Sequence, residues 1–165
     1  MAAGRLLLLL VAGAVLGGAV VPSAHHLAGR WTRRFTSGDI SGARFPVEDE
    51  LVIVATDPNH AVFDLQLNFF NGHVCSIGGV ATLEGSRLVY NNAETTGYDG
   101  SACRLEIWRD GNRIRWDDGE STCQGFCGTR GGLRGGELRW STRRAITRAE
   151  QARNIANEQR NRNLP

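Results

Sequence analysis

Hydrophobic residues alternate with polar ones in a series of short runs between residues 51 and 140. The alternation is clearest from residue 63 to residue 69, where every second position is apolar. A period of two is typical of a strand with one buried face. The positions predicted to face the core are Trp31, Phe63, Leu65, Leu67, Ile77, Leu105, Ile107 and Trp116.

Tight-turn signals separate these runs. Asn71-Gly72 is the strongest of them, because both residues tolerate the positive φ of a type I′ hairpin turn. Asp110-Gly111 is a second hairpin signal, and the polar, glycine-containing stretches 36–46 and 91–101 are predicted as longer loops. No helical period occurs before residue 142.

Eight or nine short strands joined mostly by hairpins form a meander, which closes most simply into a barrel or a rolled sandwich. We therefore predict an all-β fold over residues 25–142, built as a small antiparallel meander of about eight strands. The 21 glycines fit a chain with many tight turns.

The first residues have the composition of a secretory signal peptide. Arg5 precedes an apolar or small run from Leu6 to Val21, and Pro22-Ser23-Ala24 follows it. We predict residues 1–24 as a signal peptide, with cleavage after Ser23 favoured over cleavage after Ala24. The apolar run is short for a membrane anchor. No transmembrane segment is therefore predicted after cleavage, and the mature protein is expected in the periplasm or outside the cell.

The C-terminal segment, residues 143–165, carries much of the positive charge. It holds six arginines against Glu150 and Glu158, a charge of +4. Removing this charge and that of Arg5 from the net charge of +2 leaves −3 for the rest of the chain. The overall basicity is therefore no argument for a nucleic-acid partner. The segment is predicted as a tail with a helix capped by Thr142, either solvated or disordered, and a weak contact with an anionic polymer or lipid is the functional alternative.

Four cysteines in a small exported chain favour two disulfides over a zinc site, because Cys75 and Cys103 lack a matching pair motif. Three pairings are possible. We favour Cys75 with Cys103, since both lie on inward faces of predicted strands, and Cys123 with Cys127.

Motifs for catalysis are missing from the sequence. It has no Gly-x-Ser-x-Gly nucleophile motif and no phosphate-binding glycine loop. We predict no catalytic residue, no cofactor and no metal site. A copper site at His25-His26 is less favoured than two ordinary solvated residues. Asp117, Asp118 and Glu120 lack the spacing of calcium ligands and are predicted as a charged hairpin tip.

Arg130 is the most suggestive polar residue, because it lies among glycines just after Cys127. An arginine on a loop fixed by a disulfide is held ready to enter a partner's cleft. The alternative, and the commoner arrangement, is a local ion pair with Asp118 or Glu120. The predicted binding residues are Gly128, Arg130, Tyr98 and Asp99.

The span from Phe63 to Gly136 resembles the β-rich domain of secreted bacterial lysozyme-inhibitor-like proteins. The residues that carry the resemblance are Gly72-His73-x-Cys75, Leu83-Glu84-Gly85-x-x-Leu88-Val89-Tyr90, Cys103-x-Leu105, Cys123-x3-Cys127-Gly128-x-Arg130-Gly131 and Gly136. The resemblance implies a small exported β-barrel that binds an enzyme or a wall component and catalyses nothing. The chain lacks the family's N-terminal helical module and the Ser-Gly loop motif of the barrel inhibitors.

Three functions follow from these predictions. The first is an exported, non-catalytic binding protein, with a lysozyme or a cell-wall component as partner. The second is a calycin-like carrier of a small molecule, with Gly29-x-Trp31 at the base of the barrel. The third is a structural protein of the cell envelope that is anchored by its basic tail.

Overall fold

The structure of the protein, a computed structural model, describes residues 22–97 and 100–162, except for the side chains of 94–96 and 160–162. Most of the predicted signal peptide lies outside the described residues, as do Tyr98 and Asp99. The strands are β1 (Gly29–Gly38), β2 (Arg44–Ala55), β3 (His60–Asn68), β4 (Val74–Glu84), β5 (Arg87–Thr96), β6 (Ala102–Asp110), β7 (Arg113–Asp117) and β8 (Gly136–Arg139).

The eight strands form one antiparallel meander in the order of the chain, β1 to β8. The sheet curls until β8 approaches β1. Beyond β8, the backbone of Arg144 exchanges two hydrogen bonds with Arg30, with N–O distances of 3.0 and 2.8 Å. The predicted all-β meander, nearly closed into a barrel of eight strands, is confirmed.

The sheet is weakest between β4 and β5. These strands pair over three positions only, Thr82–Glu84 against Arg87–Val89. Neighbouring pairs, such as β3 with β4, run over nine positions. The barrel therefore consists of two four-stranded halves that separate toward one end, and residues 118–135 enter the gap between them.

Two predicted loops are shorter than expected. Strands β1 and β2 pair from end to end, so the loop predicted at 36–46 shrinks to residues 39–43. Strand β5 continues to Thr96, which leaves 97–101 of the predicted 91–101 loop. The Asn71-Gly72 turn is confirmed, with φ angles of 63° and 69°.

Side chains fill the interior of the barrel. All eight predicted core residues are buried, each with 6% or less of its surface exposed. A row of aromatic rings crosses the wider part of the interior. The centroids of Phe63 and Tyr90 are 5.3 Å apart, and those of Tyr90 and Phe126 are 6.5 Å apart. Gly79 makes room for this row, because a Cβ there would lie 2.3 Å from the Tyr90 ring.

Arg143 closes the floor of the barrel over two tryptophans. Trp31 is fully buried, and its ring centroid lies 5.3 Å from that of Trp140. The guanidinium carbon of Arg143 is 5.2 Å from the Trp140 ring and 5.9 Å from the Trp31 ring. Arg143 Nε also donates to the carbonyl of Ala28 at 2.9 Å. A Cβ on Gly29 would lie 2.7 Å from that nitrogen, which explains the glycine of the Gly-x-Trp pattern.

Ala24 belongs to the folded domain. It begins a turn of 3-10 helix, Ala24–Leu27, that lies against the floor, and its side chain is fully buried. Its backbone N–H donates to the carbonyl of Pro58 at 2.8 Å. Cleavage of the signal peptide after Ser23 keeps Ala24 in the mature chain, whereas cleavage after Ala24 removes it.

The tail helix begins later than predicted. Helix α1 runs over Arg148–Arg162, and the predicted cap, Thr142, lies in a separate 3-10 turn, so that prediction is wrong. The helix starts with a capping box instead. Glu150 accepts hydrogen bonds from the N–H and hydroxyl of Thr147, both at 2.8 Å, and Glu150 N–H donates to the Thr147 hydroxyl at 3.2 Å.

The predicted helical tail is confirmed, and most of its side chains between 148 and 159 are exposed, but the tail is not detached from the sheet. Ile146 and Ile155 pack against a second apolar cluster on the outer face of the sheet, which comprises Val52, Val54 and Val62. Arg30 forms ion pairs with both Glu50 and Glu150, the second at 3.1 Å, and so joins the helix to β1 and β2. Within the described residues, no helix has the length and hydropathy needed to cross a membrane.

Gly136 supports a first test of the packing. A Cβ at this position would lie 2.1 Å from Nε1 and Cε2 of the buried Trp116. We expect Gly136→Ala to lower the free energy of unfolding by about 2–3 kcal/mol, because Trp116 must shift inside a filled core. Gly132→Ala is the matched control, since a Cβ there meets no atom within 4 Å. If Gly136→Ala and Gly132→Ala unfolded at the same urea concentration, the close contact between Gly136 and Trp116 would be contradicted.

Candidate functional site

Four loops lie together at one end of the barrel, because each joins an odd-numbered strand to the next even-numbered one. We call it the loop end, and it comprises residues 39–43, 69–73, 97–101 and 118–135. The predicted binding residues lie in two of these loops. Gly128 and Arg130 belong to 118–135, whereas Tyr98 and Asp99 belong to 97–101 and fall outside the described residues. The meander thus brings Gly97, Gly100 and Ser101 to the same end of the barrel as Arg130.

The favoured disulfide pairing is wrong. Cys75 bonds to Cys127 and Cys103 bonds to Cys123, with Cα–Cα distances of 4.0 and 4.4 Å, and all four cysteines are used. Cys75 and Cys103 do face inward, as predicted. They do not meet each other, because β5 lies between β4 and β6 and the 118–135 loop enters the gap. Each cysteine meets that loop instead.

The 118–135 loop is a covalent clasp across the gap between the sheet halves. On one side, the Cys75–Cys127 bond and a backbone hydrogen bond from Gly128 N–H to the Val74 carbonyl, at 2.8 Å, fasten it to β4. On the other side, the Cys103–Cys123 bond fastens it to β6. A 3-10 turn at Gln124–Phe126 separates the two attachments. The loop is therefore fixed at both ends of one short turn.

Two carboxylates shape this clasp from within. Asp117 accepts hydrogen bonds from the N–H groups of Gly119 and Gly135, at 2.6 and 2.9 Å. Asp118 is only 2% exposed and accepts from the N–H of Cys123 at 3.2 Å. Burial raises the pKa of Asp118. The prediction of a charged hairpin tip is wrong for these two residues, which organise the loop, whereas Glu120 is exposed.

Arg130 occupies a tight turn on top of the clasp. The turn is closed by a hydrogen bond from Gly131 N–H to the Gly128 carbonyl at 2.8 Å. The side chain of Gln124 donates to the Gly131 carbonyl at 3.0 Å and so attaches this turn to the 3-10 turn at Gln124–Phe126. Gly131 passes directly over the disulfide, since a Cβ there would lie 2.9 Å from the Cys75 sulfur. The backbone that carries Arg130 is therefore fixed from two sides.

The side chain of Arg130 is exposed, and it forms no hydrogen bond or ion pair within the described part of the chain. The alternative prediction, a local pair with Asp118 or Glu120, is not what the structure contains. Asp118 is turned toward the backbone of Cys123. The guanidinium therefore keeps its donors available for another molecule.

No group of three or more His, Cys, Asp or Glu side chains in residues 22–97 and 100–162 is arranged to hold a metal ion. Because every cysteine is in a disulfide, none is available as a thiolate ligand of zinc. Comparisons of the chain with protein-family models, curated proteins and solved structures found no match.

Proposed function

We propose that the protein is an exported, non-catalytic binding protein that inhibits a partner enzyme by presenting Arg130, and that a lysozyme is the partner class. One observation carries the proposal. An exposed guanidinium without a described partner stands on a turn that two disulfides and a side-chain hydrogen bond hold in place.

Such a residue binds at a low entropic cost, because the backbone beneath it is already ordered. A guanidinium offers a fork of donors that matches a carboxylate. The cleft of a lysozyme holds two carboxyl groups that carry out hydrolysis. Arg130 inserted between them would block substrate and neutralise their charge.

The cysteines support export. Disulfides persist in oxidising compartments and are rare in the cytosol. This fits the signal peptide predicted for residues 1–24, and the mature protein would act in the periplasm or outside the cell.

Two alternatives have less support. A small-molecule carrier needs an empty lumen, whereas rings such as Phe63, Tyr90 and Phe126 occupy the interior of this barrel. A structural envelope protein anchored by its tail needs the tail to be accessible. Here Ile146 and Ile155 hold the tail against the sheet and Glu150 pairs with Arg30, so only exposed arginines such as Arg148 and Arg153 would be open to such an anchor.

The test is inhibition of a c-type lysozyme by the oxidised mature protein at several salt concentrations. We expect dose-dependent inhibition that weakens with salt, because part of the attraction is electrostatic. Arg130→Ala should weaken inhibition about 30-fold, the effect of losing one binding hot spot of about 2 kcal/mol.

Arg139→Ala is the matched control, since Arg139 is also exposed but lies at the end of β8 near the floor. Its inhibition constant should stay within twofold of that of the wild type. Equal losses in both variants would assign the effect to overall charge. No inhibition by the wild type at micromolar concentration would refute lysozyme as the partner.

A further inference from the structure

Large hydrophobic side chains are exposed at the loop end. Ile40 is 81% exposed, Phe70 53% and Val74 49%, and the three come from two neighbouring hairpins. We call these three residues the rim patch. Exposed apolar side chains that cluster are costly in water and commonly mark a contact surface, whereas single ones are ordinary.

The rim patch is continuous with the turn that carries Arg130. Ile40 N–H donates to the side-chain oxygen of Asn71 at 3.4 Å, which joins the two hairpin tips. A Cβ on Gly38 would lie 3.6 Å from the Phe70 ring, so this ring rests against the first hairpin. The Val74 carbonyl accepts the N–H of Gly128 at 2.8 Å. One connected row therefore runs from Ile40 to Arg130.

Local hydrogen bonds fix the hairpins that carry the patch. The carboxylate of Asp39 accepts from the N–H groups of Ser41 and Ala43 at 2.9 and 3.0 Å. The hydroxyl of Ser37 donates to the Phe69 carbonyl at 3.2 Å. The apolar tips are thus fixed relative to Arg130. Little conformational entropy is therefore lost when they bind a partner.

Three guanidinium groups are exposed at the loop end, which also carries the exposed carboxylate of Glu120. Arg44, Arg130 and Arg134 are exposed in or beside its loops. Most of the nearby carboxylates are already engaged: that of Asp39 by its own turn, and that of Asp117 by two backbone N–H groups. This combination of apolar and guanidinium groups complements a surface that offers both carboxylates and apolar contacts.

We propose that the rim patch is the apolar anchor of a docking surface that ends at Arg130, and that its occupant is a folded protein with a carboxylate-bearing cleft bordered by apolar surface. This inference rests on the proposed function and defines the complementary surface of the partner. An aromatic residue and an arginine are the residue types that dominate protein interfaces. A fluid lipid surface would accept apolar tips in any arrangement, whereas the fixed row matches a partner of fixed shape.

The test uses the full mature protein, oxidised, with Ile40 and Phe70 both replaced by serine, and measures its Kd for c-type lysozyme. We expect the Kd to rise about 30-fold or more. Both side chains are exposed, so the melting temperature should be unchanged. Ile40→Ser alone, in the most exposed position, serves as a second variant if the double variant folds poorly. Ala152→Ser with Ala156→Ser, both exposed on α1, is the matched control.

The outcomes separate the two proposals. If the wild type binds and the double variant loses affinity while the control does not, the docking surface is supported. If the double variant binds lysozyme like the wild type, the docking surface is overturned and the proposed function stands. If the wild type does not bind, lysozyme inhibition is refuted and the docking surface falls with it. If the double variant keeps lysozyme binding but loses binding to phosphatidylglycerol vesicles, the patch is a lipid contact and the proposal is overturned.

Discussion

Replacing Cys75 and Cys127 together by serine is expected to lower the free energy of unfolding by about 4 kcal/mol. This disulfide closes a loop of 52 residues and so restricts the unfolded chain strongly. It also fastens the clasp to β4, where the sheet itself is weakest. Both cysteines are replaced so that no free thiol remains to form a wrong pair.

Replacing Cys103 and Cys123 by serine is the comparison, because this bond closes a shorter loop of 20 residues. Its expected cost is about 3 kcal/mol. Urea unfolding of both variants measures the difference. A peptide map of the oxidised wild type checks the pairing independently. A peptide that links Cys75 to Cys103 would contradict the structure.

Trp31→Ala is expected to lower the free energy of unfolding by about 4 kcal/mol. The indole is fully buried, and it lies between the core and Trp140. Its removal leaves a cavity in the floor and takes away part of the surface on which Arg143 rests. The surrounding strands cannot close such a cavity without breaking their pairing.

Trp31→Phe is the control for shape and chemistry. The indole N–H of Trp31 has no hydrogen-bond partner in the described structure, so phenylalanine loses no bond there. We expect it to cost clearly less than alanine, as measured by thermal or urea unfolding. Should phenylalanine destabilise the protein as much as alanine does, the indole nitrogen would have a role that its surroundings do not explain.

The core could be predicted from the sequence because alternation reports directly on burial. The hairpin arms at 36–46 could not, because Ile40 and Phe45 are too few to form an alternation and the two glycines indicate a loop. Their pairing is instead a continuation of the regular register that begins deeper in the sheet. Ser37 is buried there but is polar, so the local pattern of apolar residues does not reveal the strand.

The disulfide pairing could not be predicted for a different reason. It depends on the short β4–β5 pairing, which leaves a gap, and on the 118–135 loop, which fills it. No local feature of the sequence reports either fact. The closure of the floor is equally non-local, because Arg143 donates to a carbonyl 115 positions earlier in the chain.

Two features of the sequence indicate that helix α1 packs on the sheet. Thr147-x-x-Glu150 is a capping box, five residues after the cap that was predicted. The run Leu51 to Ala55 is apolar at every position, which is typical of a strand covered on both faces. Together they indicate that something packs on the outside of β2.

The two disulfides of the clasp close part of the chain into a covalent ring. Residues 75–103 and 123–127, joined through both disulfides, form a closed covalent ring that includes β5. In a reducing compartment this ring opens, and the loop that carries Arg130 is then held only by hydrogen bonds and by the packing of side chains such as Phe126 and Leu133. Reduction is therefore expected to loosen the backbone beneath Arg130, and any binding through this residue should require the oxidised protein.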